Sequence, residues 1–193
     1  MRPDNPMRNF DPRRLARYEK DNYVAYYRKD WLKLLRVSVG MVKESFGLNW
    51  FQALRAAILV ARAEIAFAPF PDNNVPLAEA YMRRFYQLIK DIHHEDFDVT
   101  RAASLEVNWW SIHRKLFANQ QNEELVQALA GLYAEAYGVA ALKLQPAAAL
   151  RAEGMLYSDL WVNAGKPEGS PLLVQEEEAL YRSYIALKAA INA

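Results

Sequence analysis

The chain reads as all-α, a single-domain bundle of about seven helices, and three observations predict it. Every long apolar stretch repeats at the three-to-four spacing of a helix, and none alternates as a strand does. Helix start and stop residues punctuate these stretches, with mostly short connections between them. At 193 residues, with 52% hydrophobic residues and 24 aromatics (eleven Tyr, eight Phe, five Trp), the chain suits one domain with a substantial core.

The elements follow in order. Residues 1–10 are polar and interrupted by proline, which predicts a flexible tail, with the helical domain over 11–193. Asp11-Pro12 pairs an N-cap with proline at the first helical position. One long helix, or two with a break, then reaches about Phe46, where Gly47 can end it. Asn49 with Gln52 three residues on has the form of a capping box. It opens a helix through about Phe67 that is apolar nearly all round and so expected at the centre of the domain. Residues 68–76 are dense in turn formers.

The next helix runs from Pro76 to about His94, with Leu77, Tyr81, Phe85, Leu88 and Ile92 on one side. Asp98 caps a helix that reaches about Phe117. Asn122 caps a shorter one ending at Gly138. Pro146 begins another that stops at Gly165, and Ser170-Pro171 opens the last, which extends to about Ile191.

A formal net charge of +1 carries no signature of nucleic-acid binding, and no such partner is expected. The charge is uneven, however: residues 1–46 hold eleven basic and six acidic side chains, net +5, against −4 for the remainder. That polarity suits steering of a partner or of a second copy of the chain, and a homodimer is one expectation. There is no cysteine, so disulfides, thiolate catalysis and Cys-based zinc sites are excluded. The first residues have no apolar stretch resembling a secretory signal, and no run approaches the roughly 18 apolar residues of a membrane span. A soluble, cytoplasmic protein is the expectation.

Glu106 and His113 carry the sharpest chemical signal. On the Asp98–Phe117 helix, Ala102, Leu105, Trp109, Ile112 and Leu116 define an apolar arc, with Trp110 and Phe117 widening one flank. Glu106 and His113 fall within it, while Thr100, Ser104, Asn108, Ser111 and Lys115 line the opposite side. A charge facing a core must be paired, hydrogen-bonded, metal-bound or neutralised. The two lie roughly 10.5 Å apart in helical rise, too far for a direct bond. Trp109 and Trp110 stand between them as apolar walls, an enclosure that can raise a carboxyl pKa and depress a histidine's.

Glu153, among Leu150, Tyr157, Leu160 and Trp161, and Glu64, at the edge of an arc of Val60, Ala61 and Phe67, look inward in the same way. The bland reading is that each group is satisfied by a neighbouring helix. The sharper one is that Glu64, Glu106, His113 and Glu153 converge on one pocket walled by Trp109, Trp110, Tyr157 and Trp161.

Di-iron carboxylate bundles carry Glu-x-x-His motifs, and none occurs here, so no metal ligands are assigned. A lone His113 would suit a haem or a single metal but carries little specificity. His93-His94-Glu95-Asp96 reads as a solvated helix end, since successive helical residues point about 100° apart. Glu176-Glu177-Glu178 reads as a solvated acidic first turn complementing the helix dipole. No Gly-rich phosphate loop, nucleophile elbow or HExxH occurs.

Four strings, Tyr27-Arg28-Lys29-Asp30-Trp31, Pro69-Phe70-Pro71-Asp72-Asn73, Met82-Arg83-Arg84-Phe85-Tyr86 and Leu105-Glu106-Val107-Asn108-Trp109-Trp110-Ser111-Ile112-His113-Arg114, resemble an uncharacterised bacterial all-α protein family without assigned function. The resemblance covers most of the chain and implies one intact domain. It implies no activity.

The leading expectation is a protein that binds a small molecule or cofactor, of unknown identity, in the internal pocket. If it is an enzyme, Glu106 or His113 is the acid–base residue. The alternative is a non-enzymatic scaffold or homo-oligomer. Its basic amphipathic first helix, with Lys29, Lys33, Arg36 and Lys43 beside Trp31, Leu34 and Leu35, would meet an acidic partner or a membrane surface.

Overall fold

The computed structural model of the chain describes residues 5–193. All regular structure among these residues is helical: eight α-helices and one short 3-10 turn. They are α1 (Pro12–Arg28), α2 (Trp31–Phe46), α3 (Trp50–Phe67), α4 (Val75–His93), α5 (Val99–Lys115), α6 (Glu123–Tyr137), α7 (Ala141–Asn163) and α8 (Pro171–Ile191). The all-α reading holds, and the count rises from about seven to eight because the first segment is two helices. Lys29 adopts a left-handed conformation (φ 59°) that stops α1. Asp30 then caps α2 by accepting from the Lys33 amide.

Other boundaries follow their local signals. Asp11 accepts from the Arg13 and Arg14 amides, Asn49 and Gln52 form the reciprocal capping box, and Asp98 accepts from the Thr100 and Arg101 amides. Two expectations are corrected. Asn122 makes no side-chain cap bond. α7 begins at Ala141, with Pro146 inside it. The carbonyl that the missing Pro146 amide would have reached belongs to Leu142, on an exposed turn where solvent can take it.

Residues 1–4 of the predicted tail lie outside the described residues. Residues 5–10 do not form a loose tail: Pro6–Arg8 is the 3-10 turn, and Met7 and Phe10 are each 1% exposed. Burial of these two large apolar side chains outweighs the polar, proline-rich local sequence.

Each helix packs on its predecessor and its successor, and α8 returns to pack on α1. The result is a closed ring of neighbours. Side-chain pairs show the antiparallel sense of the joins. Arg14 on α1 meets Glu44 on α2, whereas Asn22 meets Ser38. Across the closing seam, Phe10 meets Lys188, and Lys20 meets Glu177. The basic charge of residues 1–46 is partly spent here: Arg17 and Lys20 both pair with Glu177, and Arg28 with Glu168. The charge polarity seen in the sequence thus serves ring closure, each exposed pair contributing little by itself.

α3 is not central. Its alanines, Ala53, Ala56, Ala57 and Ala63, are buried, while Phe51 and Ile65 are 87% and 71% exposed. Small residues let neighbouring helices approach closely, and the large ones are left facing out. No helix of the described residues is long and apolar enough to cross a membrane.

Candidate functional site

The ring encloses a chamber of about 230 Å³, reached by side chains of α1, α2, α3, α5, α7 and α8. Outside it lies an aromatic cleft of about 440 Å³. Asn22, Tyr23, Glu64, Trp109, Trp110 and His113 line both, so the two spaces meet at these residues.

Glu106 is held by three donors. Tyr86 on α4 donates its hydroxyl at 2.6 Å, and the indole N–H groups of Trp109 and Trp110 donate at 3.0 and 3.2 Å. Helical side chains lean toward the N-terminus, so residues three and four positions on can reach back to Glu106. The two indoles are therefore ligands of the carboxylate and not merely apolar walls. Burial first, and the adjacent carboxylate second, raise the Tyr86 phenol well above its usual range and keep it a donor.

His113 points its Nε2 to the Asp159 Oδ2 of α7 at 3.1 Å. Asp159 is 2% exposed and also accepts from the Tyr23 hydroxyl (2.5 Å) and the Ala118 amide (3.0 Å). A carboxylate that orients a histidine in this way fixes which ring nitrogen faces elsewhere. No bond joins Glu106 to His113 among the described residues.

Arg151 of α7 enters the chamber between Glu19 (Nε to Oε1, 2.9 Å) and the Tyr133 hydroxyl (3.2 Å), with its guanidinium 5.3 Å from the Trp109 ring centre. Tyr184 donates to the other Glu19 oxygen.

Two carboxyls stand apart. Glu64 is an exposed residue of α3 whose side chain opens on both spaces, and no hydrogen bond or ion pair to its carboxyl occurs among the described residues. Desolvation by the protein around this side chain, with the Glu106 charge second, pushes it up to about 7. Glu176 on α8 is 1% exposed, and its Oε2 has no hydrogen-bond partner. Burial pushes it up to about 8, against the opposing pull of the Ser158 hydroxyl.

Of the residues singled out in the sequence, Glu64, Glu106, Trp109, Trp110 and His113 share the chamber. Glu153, Tyr157 and Trp161 do not line it. Glu153 accepts from Tyr157 one turn on, at the partly exposed rim of α7. Trp161 is fully buried and donates its indole N–H to the Pro167 carbonyl, fixing the turn before α8. α7 packs on both α6 and α8, so buried positions occur around much of its circumference, and its one apolar arc misled.

Glu19, Tyr23, Arg151, Asp159 and Glu176 were not legible as site residues. The solvated-turn reading of Glu176 is corrected; it precedes Ala179, Leu180 and Ser183 on the buried face of α8. That three-and-four spacing was the available signal. The solvated-end reading of residues 93–96 is corrected at Glu95, which turns inward and accepts from Asn5. Among the described residues no group of three or more His, Asp or Glu is gathered as a metal site needs. Comparison with protein-family models, curated proteins and solved structures finds no match to this chain.

Proposed function

We propose that this protein binds a small molecule in the chamber and its aromatic cleft. One observation carries the reading: ionisable groups from α1, α3, α5, α7 and α8 surround a single space, and neither the carboxyl of Glu64 nor the Oε2 of Glu176 has a partner. Purely structural polar groups end in pairs, as Glu153 does. A concave, mostly apolar site with a few convergent polar groups is the usual form of a ligand pocket.

If a reaction occurs there, His113 is the better acid–base residue. Glu106 is committed to three donors, whereas His113 is oriented by Asp159 at the edge of both spaces.

The test is ligand screening by thermal shift, paired with native mass spectrometry for co-purified ligand. Ala61 lines the outer cleft and is exposed, so Ala61→Trp fills that space without disturbing the core. Compounds that raise the melting temperature of the wild type should fail on Ala61→Trp. Equal shifts in both proteins would place binding elsewhere.

The exposed apolar stripe of α3 (Phe51, Leu54, Ile58, Ile65) beside Trp31, Leu32 and Leu35 of α2 favours a second reading, an interaction face. Salt-sensitive binding to anionic vesicles, abolished by reversing Lys29, Lys33 and Arg36, would support it.

A further inference from the structure

The chamber is rich in acceptors and poor in free donors. Arg151 is held by Glu19 and Tyr133, both indoles by Glu106, Asn22 by Ser38 and Tyr23 by Asp159. What remains is the carboxyl of Glu64, with no partner, and the buried Oε2 of Glu176, also with none. An orphaned oxygen on a carboxylate as buried as Glu176 is costly, and the cost is removed by a hydrogen-bond donor bearing positive charge.

The approach to the chamber fits the same chemistry. Trp109, Trp110 and Tyr23 wall both spaces, and Tyr27, Trp31 and Phe117 extend the outer cleft. Aromatic faces attract cations and also cover apolar carbon. Because the carboxylates are not gathered into a metal-ligand set, the positive charge is better supplied by an organic group.

Resting on the small-molecule reading of this cavity, we infer that the ligand is a small organic cation, a primary ammonium on an apolar body. Its ammonium sits in the chamber lined by Glu64 and Glu176, and its apolar portion lies along the aromatic cleft. Glu64, which lines both spaces, meets the charge first, and Glu176 is the acceptor within.

Binding is coupled to proton release. Glu176 faces Glu19 and Lys20 from α1 and Ser158 and Asp159 from α7, with Glu177 of its own helix tied to Lys20; Glu64 faces Glu106 from α5. Protons held by Glu64 and Glu176 in the empty chamber leave as the ammonium enters, because the opposite charge favours the ionised form. An alkylammonium keeps its own proton to about pH 10, so affinity rises between about pH 6 and 9.

The experiment is calorimetric titration with phenethylammonium, phenethyl alcohol and phenylacetate, three probes of one skeleton and different charge. The ammonium should bind at least about tenfold tighter than the alcohol, with phenylacetate weakest. Titration in buffers of different ionisation enthalpy should show protons released. Glu64→Gln and Glu176→Gln should each cut the preference about tenfold while far-UV circular dichroism stays unchanged; Glu64→Gln, which loses no partner, keeps the test valid if Glu176→Gln misfolds. Equal binding of ammonium and alcohol, or a preference that survives both substitutions, overturns the cation assignment and leaves the cavity reading standing. Absence of binding by all three probes, with no compound distinguishing Ala61→Trp from wild type, overturns both.

Discussion

Asp159 on α7 holds His113 on α5 at 3.1 Å, joining helices that are not neighbours in the ring across its cavity. The same carboxylate receives the Tyr23 hydroxyl and the Ala118 amide. Asp159→Ala leaves three polar partners unmatched and should cost about 2–4 kcal/mol in guanidinium unfolding. His113→Phe should cost less, because Asp159 keeps two donors. An Asp159→Ala protein as stable as wild type would contradict this account.

Glu106 offers a graded comparison. Glu106→Leu abandons two indole N–H groups and the Tyr86 hydroxyl, at about 2–4 kcal/mol. Glu106→Gln should lose no more than about 1.5 kcal/mol, since its carbonyl can serve both indoles and the tyrosine hydroxyl can turn to accept from its amide. Similar unfolding midpoints for the two variants would show that the triple bond to Glu106 contributes little.

Glu176 makes stability depend on pH in a defined direction. Unfolded glutamate ionises near pH 4.3, whereas folded Glu176 keeps its proton up to about 8. The stability associated with this raised value is present at low pH and declines as pH rises from about 4 to about 8. Glu176→Gln cannot ionise, so it should overtake wild type across that window, by a difference on the order of a few kcal/mol at pH 8. A difference that is flat between pH 4 and 9 would refute the assignment. Glu64 works in the same direction, more weakly because it is open to the cavity.

Arg151→Met leaves Glu19 partly buried without its cation and should destabilise by about 3–5 kcal/mol. Adding Glu19→Gln should recover much of the loss, since the penalty lies in the unpaired charge. A double variant as unstable as the sum of the singles would show the pair to be independent.

Gly154 lies where α7 meets α8: a Cβ there would sit 2.9 Å from both Cγ and Cδ2 of buried Leu180. Overpacking of about 1–3 kcal/mol is offset by up to ~1 kcal/mol of helix propensity. Gly154→Ala should therefore lose about 1 kcal/mol net, read as a lowered melting temperature. A gain in melting temperature would mean that Leu180 moves aside freely.

Much of the fold was legible because helices are local objects. Asp11, Asn49 and Asp98 cap amides two or three residues on, and Gly47 and Gly138 stop helices with their own backbones. The inward aim of Glu106 and His113 follows from the angular period of one helix. The contrast of Glu153 with Glu176 shows where such reasoning ends. Both stand among apolar residues at helical spacing, yet Glu153 reaches the rim and Tyr157, while Glu176 is enclosed by α1 and α7.

By itself, then, the sequence determined the helices, most of their ends and the inward face of α5, all set by interactions within about four residues. Which groups share the chamber was decided only in three dimensions. Asp159 lies 46 residues from His113, Glu19 lies 132 from Arg151, and α8 must pack on both α7 and α1 to enclose Glu176. Those meetings depend on how whole helices pack around the ring, a collective fit that no single segment encodes.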